Sequence, residues 1–187
     1  MFNRPVLAVL DASALAGRAA PHVLLRLAEV PASMVPRWTR ETLAEARSLL
    51  RRLGWPDPLV EKWESALQSG FPEAVISPAT SVVDALAEAD SPERTVAAAV
   101  ACGARLVLTE HPSRHPPALL RPWGVEAMTP DTFLLEQLGS DHRRMEPMLR
   151  DMIQRHTHPG MMAMLTKNYP SFAQAVAGKL DDTRDMN

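Results

Sequence analysis

Two continuous apolar runs set the frame of this chain. Pro5-Val6-Leu7-Ala8-Val9-Leu10 stops abruptly at Asp11, and Arg105-Leu106-Val107-Leu108-Thr109 follows Gly103 and ends at Glu110-His111-Pro112. Apolar residues without alternation over so few positions predict strands buried on both faces, as in a parallel sheet. Weaker strands fit at Ser33-Met34-Val35, Ala74-Val75-Ile76-Ser77 and Val125-Glu126-Ala127-Met128. Between the runs, apolar positions recur at helical spacing over Ala12 to Glu29, Thr39 to Leu53, Pro58 to Gln68, Val82 to Ala89 and Pro92 to Cys102.

Helix ends carry their own punctuation. Thr39 before Arg40 and Glu41 reads as an N-cap, and Ser91-Pro92-Glu93 combines a cap, a proline at the first helical position and an acid in the first turn. Gly103 serves as a C-cap for the small-residue helix through Ala97, Ala98 and Ala99. Strands alternating with helices predict an α/β fold, a three-layer α/β/α sandwich around a central parallel sheet, spanning residues 1 to 138. After Gly139-Ser140-Asp141 the texture changes. Residues 141 to 187 hold seven of the ten Met and no convincing strand, which predicts a small all-helical C-terminal extension. Its expected helices run from His142 to about Arg155, Met161 to Thr166 and Ser171 to Lys179, with a turn at His156 to Gly160 and a frayed end from Asp181. Met145, Met148 and Met152 with Leu149 form one apolar stripe, packed against the α/β body or offered to a partner.

Composition narrows the picture. At 187 residues the chain is long enough for a sizeable core, and a formal charge of −2 removes any whole-chain positive field toward nucleic acid or membrane. Seventeen of the twenty basic residues are Arg, which favours bidentate contacts to carboxylate or phosphate wherever they cluster. Cys102 is alone, so neither a disulfide within the chain nor a cysteine zinc site is available, and a reducing cytoplasm is the expected compartment. The first apolar run is too short for a signal segment or a membrane span.

The dinucleotide and P-loop glycine patterns are absent, as are HExxH and GxSxG, which leaves carboxylates as the candidate chemistry. Ligands of open α/β sheets gather beyond the carboxyl ends of the strands, and Asp11 stands at such an end. It either caps the following helix or, beside Ser13, binds a hard divalent cation; the sequence leaves both open.

Four segments in order carry a resemblance: Asp11-Ala12-Ser13-Ala14-Leu15, Trp38-Thr39-Arg40-Glu41-Thr42-Leu43-Ala44-Glu45, Asp90-Ser91-Pro92-Glu93-Arg94-Thr95-Val96-Ala97-Ala98-Ala99 and Arg105-Leu106-Val107-Leu108-Thr109. Together they resemble a PIN domain over about residues 5 to 137, with Gly124 to Leu134 matching the closing strand and helix of the toxin-like branch of that family. The resemblance implies a metal-dependent endoribonuclease of a toxin–antitoxin system. By position it implies that Asp11, Glu45 and Glu93 hold Mg²⁺ or Mn²⁺, with Ser13 orienting a ligand. It also implies an RNA substrate, a cognate antitoxin protein that covers the cleft, and homodimerisation as in related domains.

The chain departs from that pattern in three places. Glu93 stands where the family usually has Asp. His111 stands where the family usually has Asn or Asp and Arg114 where it has Asp, so the fourth acidic ligand is lost unless Glu110 turns inward or Asp90 supplies a carboxylate. His111, Arg114 and His115, with Arg121 further on, make the rim of the cleft less negative, and an Arg there suits a phosphate. These departures motivate the alternative, a degenerate PIN domain that binds RNA or a protein partner without cleavage. The remaining candidates read as structural: Glu41 as an exposed first-turn acid, the four Trp as core or interface anchors, and His156 and His158 as a poor metal pair.

Overall fold

A computed structural model of the chain describes residues 5–17, 20–29, 33–77, 92–140, 145–149, 151 and 158–184. Its sheet has five parallel strands, β1 (Val6–Leu10), β2 (Met34–Thr39), β3 (Val75–Ile76), β4 (Leu106–Leu108) and β5 (Glu126–Met128), in the order β3-β2-β1-β4-β5. The chain leaves β1 toward one edge through β2 and β3, then returns to place β4 and β5 on the other side. The direction of winding therefore reverses between β1 and β4, and the loops there diverge to leave a crevice.

Strand alternation sorts the core into two layers. Ala8 and Leu10 of β1, Met34 and Trp38 of β2, and Leu106 and Leu108 of β4 belong to one buried cluster. Covering that face are α1 (Ala12–Ala16), α2 (Ala20–Arg26), α3 (Arg40–Arg52), α4 (Asp57–Gly70) and α7 (Pro130–Ser140). Val9 and Val107 join the opposite cluster, under α5 (Pro92–Cys102) and the short α6 (Pro117–Leu120). Ala98 and Ala99 of α5 are fully buried there; their small side chains let the helix lie close to the sheet.

The expected sandwich is therefore present, with local differences. The helix expected over Ala12 to Glu29 breaks at Gly17, whose backbone is extended, and α2 carries Pro21 in its first turn, where a missing N–H costs nothing. β2 continues through Pro36 to Thr39 rather than ending at Val35. Trp38 N donates to Ala74 O (2.9 Å), and by alternation Pro36 faces the same edge, beyond the reach of β3, so no ladder bond is lost. Thr39 caps α3 by accepting from Thr42 N at 3.1 Å, and Gly103 (φ +71°) ends α5, both as expected. The helix expected over Val82 to Ala89 lies outside the described residues, as does Ser91.

Residues 145–149 are helical, and α8 (His158–Asn168) and α9 (Pro170–Arg184) follow. Helix α8 begins inside the turn expected at His156 to Gly160, and α9 continues through Arg184 where a frayed end was expected. Met145, Leu149, Leu165, Tyr169, Phe172 and Val176 are buried in the same cluster as Phe133, Leu134 and Leu138 of α7. Asp131, in the first turn of α7, accepts from Phe172 N (2.9 Å) and Ser171 N (3.2 Å), satisfying amides that the start of α9 leaves without helical partners. Arg26 of α2 reaches Asp151 at 2.6 Å. Trp38 packs edge-on against Phe71 in the core, whereas Trp123 is exposed. No helix among the described residues is long and apolar enough to cross a membrane.

Candidate functional site

Asp11 follows the last residue of β1, and its N–H donates to Leu108 O (3.0 Å), which ties it to the end of β4. Its extended backbone makes it the N-cap of α1, with Oδ1 accepting from Ala14 N at 2.9 Å and from Ser13 Oγ at 2.6 Å. Oδ2 accepts from Thr109 Oγ1 at 2.5 Å. Capping is thus one part of what Asp11 does, and three donors hold its carboxylate in one orientation.

Two hydroxyls complete the network. Ser13 Oγ accepts from Glu110 N (2.9 Å), and Thr109 Oγ1 accepts from His111 N (3.0 Å). Each hydroxyl donates to Asp11 and receives an amide from the loop after β4, so the carboxyl ends of β1 and β4 are stitched together through side chains. Thr109 is fully buried. Sequence reasoning singled out Ser13 but missed Thr109; its signal was a hydroxyl residue one position past a buried strand neighbouring β1.

Beside this network opens a cleft of about 490 Å³, lined by Asp11, Ser13, Glu45, Arg52, His111 and Arg114, among others. It sits at the reversal of winding, where the topology leaves room. Helix α3 forms one wall, because Glu45, Ser48, Leu49 and Arg52 recur at the spacing of one helical face. The turn after β4, a 3₁₀ segment over Pro112–Arg114, contributes His111, Arg114 and His115 to the lining. His115 is buried there, and Thr95 of α5, also buried, adds to the lining.

The residues expected from the sequence thus separate into three groups. Asp11, Ser13, Glu45, His111 and Arg114 share the cleft. Asp90 lies outside the described residues, and so does the side chain of Glu93, whose backbone belongs to the first turn of α5. Arg121 and Glu41 do not line the cleft; Glu41 is exposed at the start of α3, where its own backbone amide, Thr39 and Arg94 hold its carboxyl below the ordinary value. Arg52 was not singled out from the sequence.

Glu110 is half-buried, and its backbone amide rather than its carboxyl meets Ser13. Burial raises its carboxyl above the ordinary value, and the charges of Asp11 and Asp131 add to that. Tyr169, brought in by the C-terminal helices, is buried, and burial together with Glu110 and Asp131 pushes its hydroxyl well above the ordinary tyrosine range.

The donor set is one of hard oxygens. A carboxylate offers about four lone-pair positions, and three on Asp11 are used, which leaves one on Oδ2. Mg²⁺ is commonly held by one or two carboxylates with the balance from water and substrate phosphate, a demand that Asp11 and Glu45 fit. Among the described residues no group of three or more His, Cys, Asp or Glu side chains is close enough to hold a metal.

Fold and site together define an α/β protein with an all-parallel sheet and a switch-point cleft that sets an anchored carboxylate against arginine side chains. Comparison with protein-family models, curated proteins and solved structures returns no match.

Proposed function

We propose that this chain is a PIN-like, Mg²⁺- or Mn²⁺-dependent endoribonuclease of the toxin type. The observation that carries the reading is the anchoring of Asp11: a carboxylate fixed by Ser13, Ala14 and Thr109 at the reversal of winding, with Glu45 lining the same cleft from α3. The five-strand parallel sheet with helices on both faces supports it, being the architecture that the family resemblance implies. In this reading Asp11 and Glu45 hold the ion, with Glu93 as the third carboxylate and Asp90 as a further donor. When bound, the ion lowers the pKa of its water toward neutrality and offsets charge developing on the phosphate. The protein's own contributions are orientation and charge. Ser13 on Oδ1 and Thr109 on Oδ2 hold the Asp11 carboxylate in one orientation, Glu45 would orient the attacking water, and Arg114 and His111 would face the phosphate. The same reading brings with it a cognate antitoxin seated over the cleft, a homodimer and a cytoplasmic setting.

The missing acid at Arg114 and the histidine at His111 favour one other reading, a degenerate domain that binds RNA or a protein without cutting. Purified protein incubated with a mixed structured and single-stranded RNA pool in Mn²⁺, Mg²⁺ or EDTA separates the two. Metal-dependent cutting that disappears in Asp11→Ala, with the thermal unfolding transition retained, is the expected result. Equal inactivity of wild type and variant in every metal selects the non-cutting module instead.

A further inference from the structure

The arginines of this chain divide by location. On α3, Arg47 pairs with Glu64 (3.0 Å) and Arg51 with Asp57 (2.6 Å), both directed away from the cleft toward α4. Arg26 is held by Glu29 and Asp151. Arg52 and Arg114 are exposed, line the cleft, and among the described residues form no ion pair, although Asp11 and Glu45 line the same space. Hydroxyl and amide donors, not guanidinium groups, occupy Asp11. Two guanidinium groups that line one concave surface from separate elements and have no ion pair among the described residues form a receptor for anions, and planar forked donors match phosphate oxygens in bidentate fashion.

The geometry points to Arg52 and Arg114 as a phosphate clamp that binds the backbone of an RNA strand without any divalent ion, so that strand binding does not require the metal-holding carboxylates. The inference rests on the proposed ribonuclease reading for the identity of the strand. Arg52 lies two helical turns beyond Glu45, about 10 Å along the axis at 1.5 Å per residue. One phosphate group does not span that length, so Arg52 holds a phosphate flanking the one beside Asp11 and Glu45. Arg114 sits three residues after His111, whose amide is tied to the Thr109 hydroxyl bound to Asp11, and so grips the strand from the turn after β4 rather than from α3. The carboxylates contribute nothing favourable to this binding step, since their charge repels the strand until a cation is present.

Fluorescence anisotropy with a labelled single-stranded RNA in EDTA, over a range of NaCl, tests the clamp. Wild type binds, and log K falls linearly with log salt. Arg52→Ala and Arg114→Ala each weaken binding and each reduce the slope by about 0.7, the value for one released counterion on a single strand. Arg52→Lys restores the slope while recovering only part of the affinity, because charge returns without the fork. Arg105→Ala, exposed at the opposite end of β4, keeps the wild-type slope. The clamp is overturned if wild type binds no RNA in EDTA, or if both arginine variants keep the wild-type slope while their melting temperatures match. Should RNA bind with the expected slopes and remain uncut in Mn²⁺, the ribonuclease reading fails while the clamp stands.

Discussion

Thr109 carries more of the site than its position one residue past a strand suggests. Its buried hydroxyl donates to Asp11 and accepts from His111 N, so Thr109→Val keeps the shape while leaving an amide and a carboxylate oxygen without that partner. We expect a stability loss of about 1–3 kcal/mol in urea unfolding, together with weaker metal stimulation of cleavage. An unchanged unfolding midpoint would show that the network is not coupled to the fold. Glu110 acts in the other direction. Because its carboxyl is raised above the ordinary value of 4.5, the native state keeps a proton that the unfolded chain releases, and stability falls as pH rises from that ordinary value through the raised one. Glu110→Gln removes the penalty. Its melting temperature in EDTA is expected to exceed that of wild type at pH 7 to 8, with the gain fading below about pH 4, where both chains are neutral at that position. A gain of equal size at both ends of the pH range would count against this account. Neither effect was legible in the sequence, because both depend on which side chains meet across the β1–β4 seam.

Single helices show what local chemistry specifies and where it stops. Thr39 and Gly103 announced the start of α3 and the end of α5, since a hydroxyl before a polar turn and a glycine after an apolar helix satisfy the same local demands in any fold. The cap of α9 was not legible. Asp131 supplies it from forty residues away, through 2.9 and 3.2 Å bonds to Phe172 N and Ser171 N. Asp131→Ala is expected to cost about 1 kcal/mol and to lower hydrogen-exchange protection in residues 170–184 before it does so in the sheet. Uniform loss of protection across the chain would place Asp131 in the global core instead. Helix α3 joins both kinds of information: its apolar face is local pattern, but only the placement of α1 and the β4 turn makes Glu45 and Arg52 into a wall of a cleft.

For the molecule as a whole, the C-terminal helices belong to the same apolar cluster as the sheet. Phe133, Leu134 and Leu138 are buried against Tyr169, Phe172 and Val176, and the cluster continues to Ala8 and Leu10 of β1. The full chain should therefore unfold in one cooperative transition, and truncation after Ser140 should expose that face and yield a protein without a cooperative melt. A truncated chain melting sharply at the wild-type temperature would mean that the extension is a separate unit. The change of texture at Gly139 marked where the architecture shifts, but not that the two parts share a core, because contact between distant segments leaves no periodic trace in either. By itself the sequence determined the kind and order of most elements, because short apolar runs bounded by polar residues favour doubly covered strands and amphipathic spacing with caps favours helices, while bounds moved at Gly17, in β2 and in α8 and α9. The tertiary structure decided the strand order, and with it the reversal between β1 and β4 that brings Asp11, Glu45, Arg52 and Arg114 around one space, with Thr109 bonded to Asp11 beside it. That grouping is a matter of long-range packing, in which many weak contacts choose among topologies that local preferences leave nearly equal.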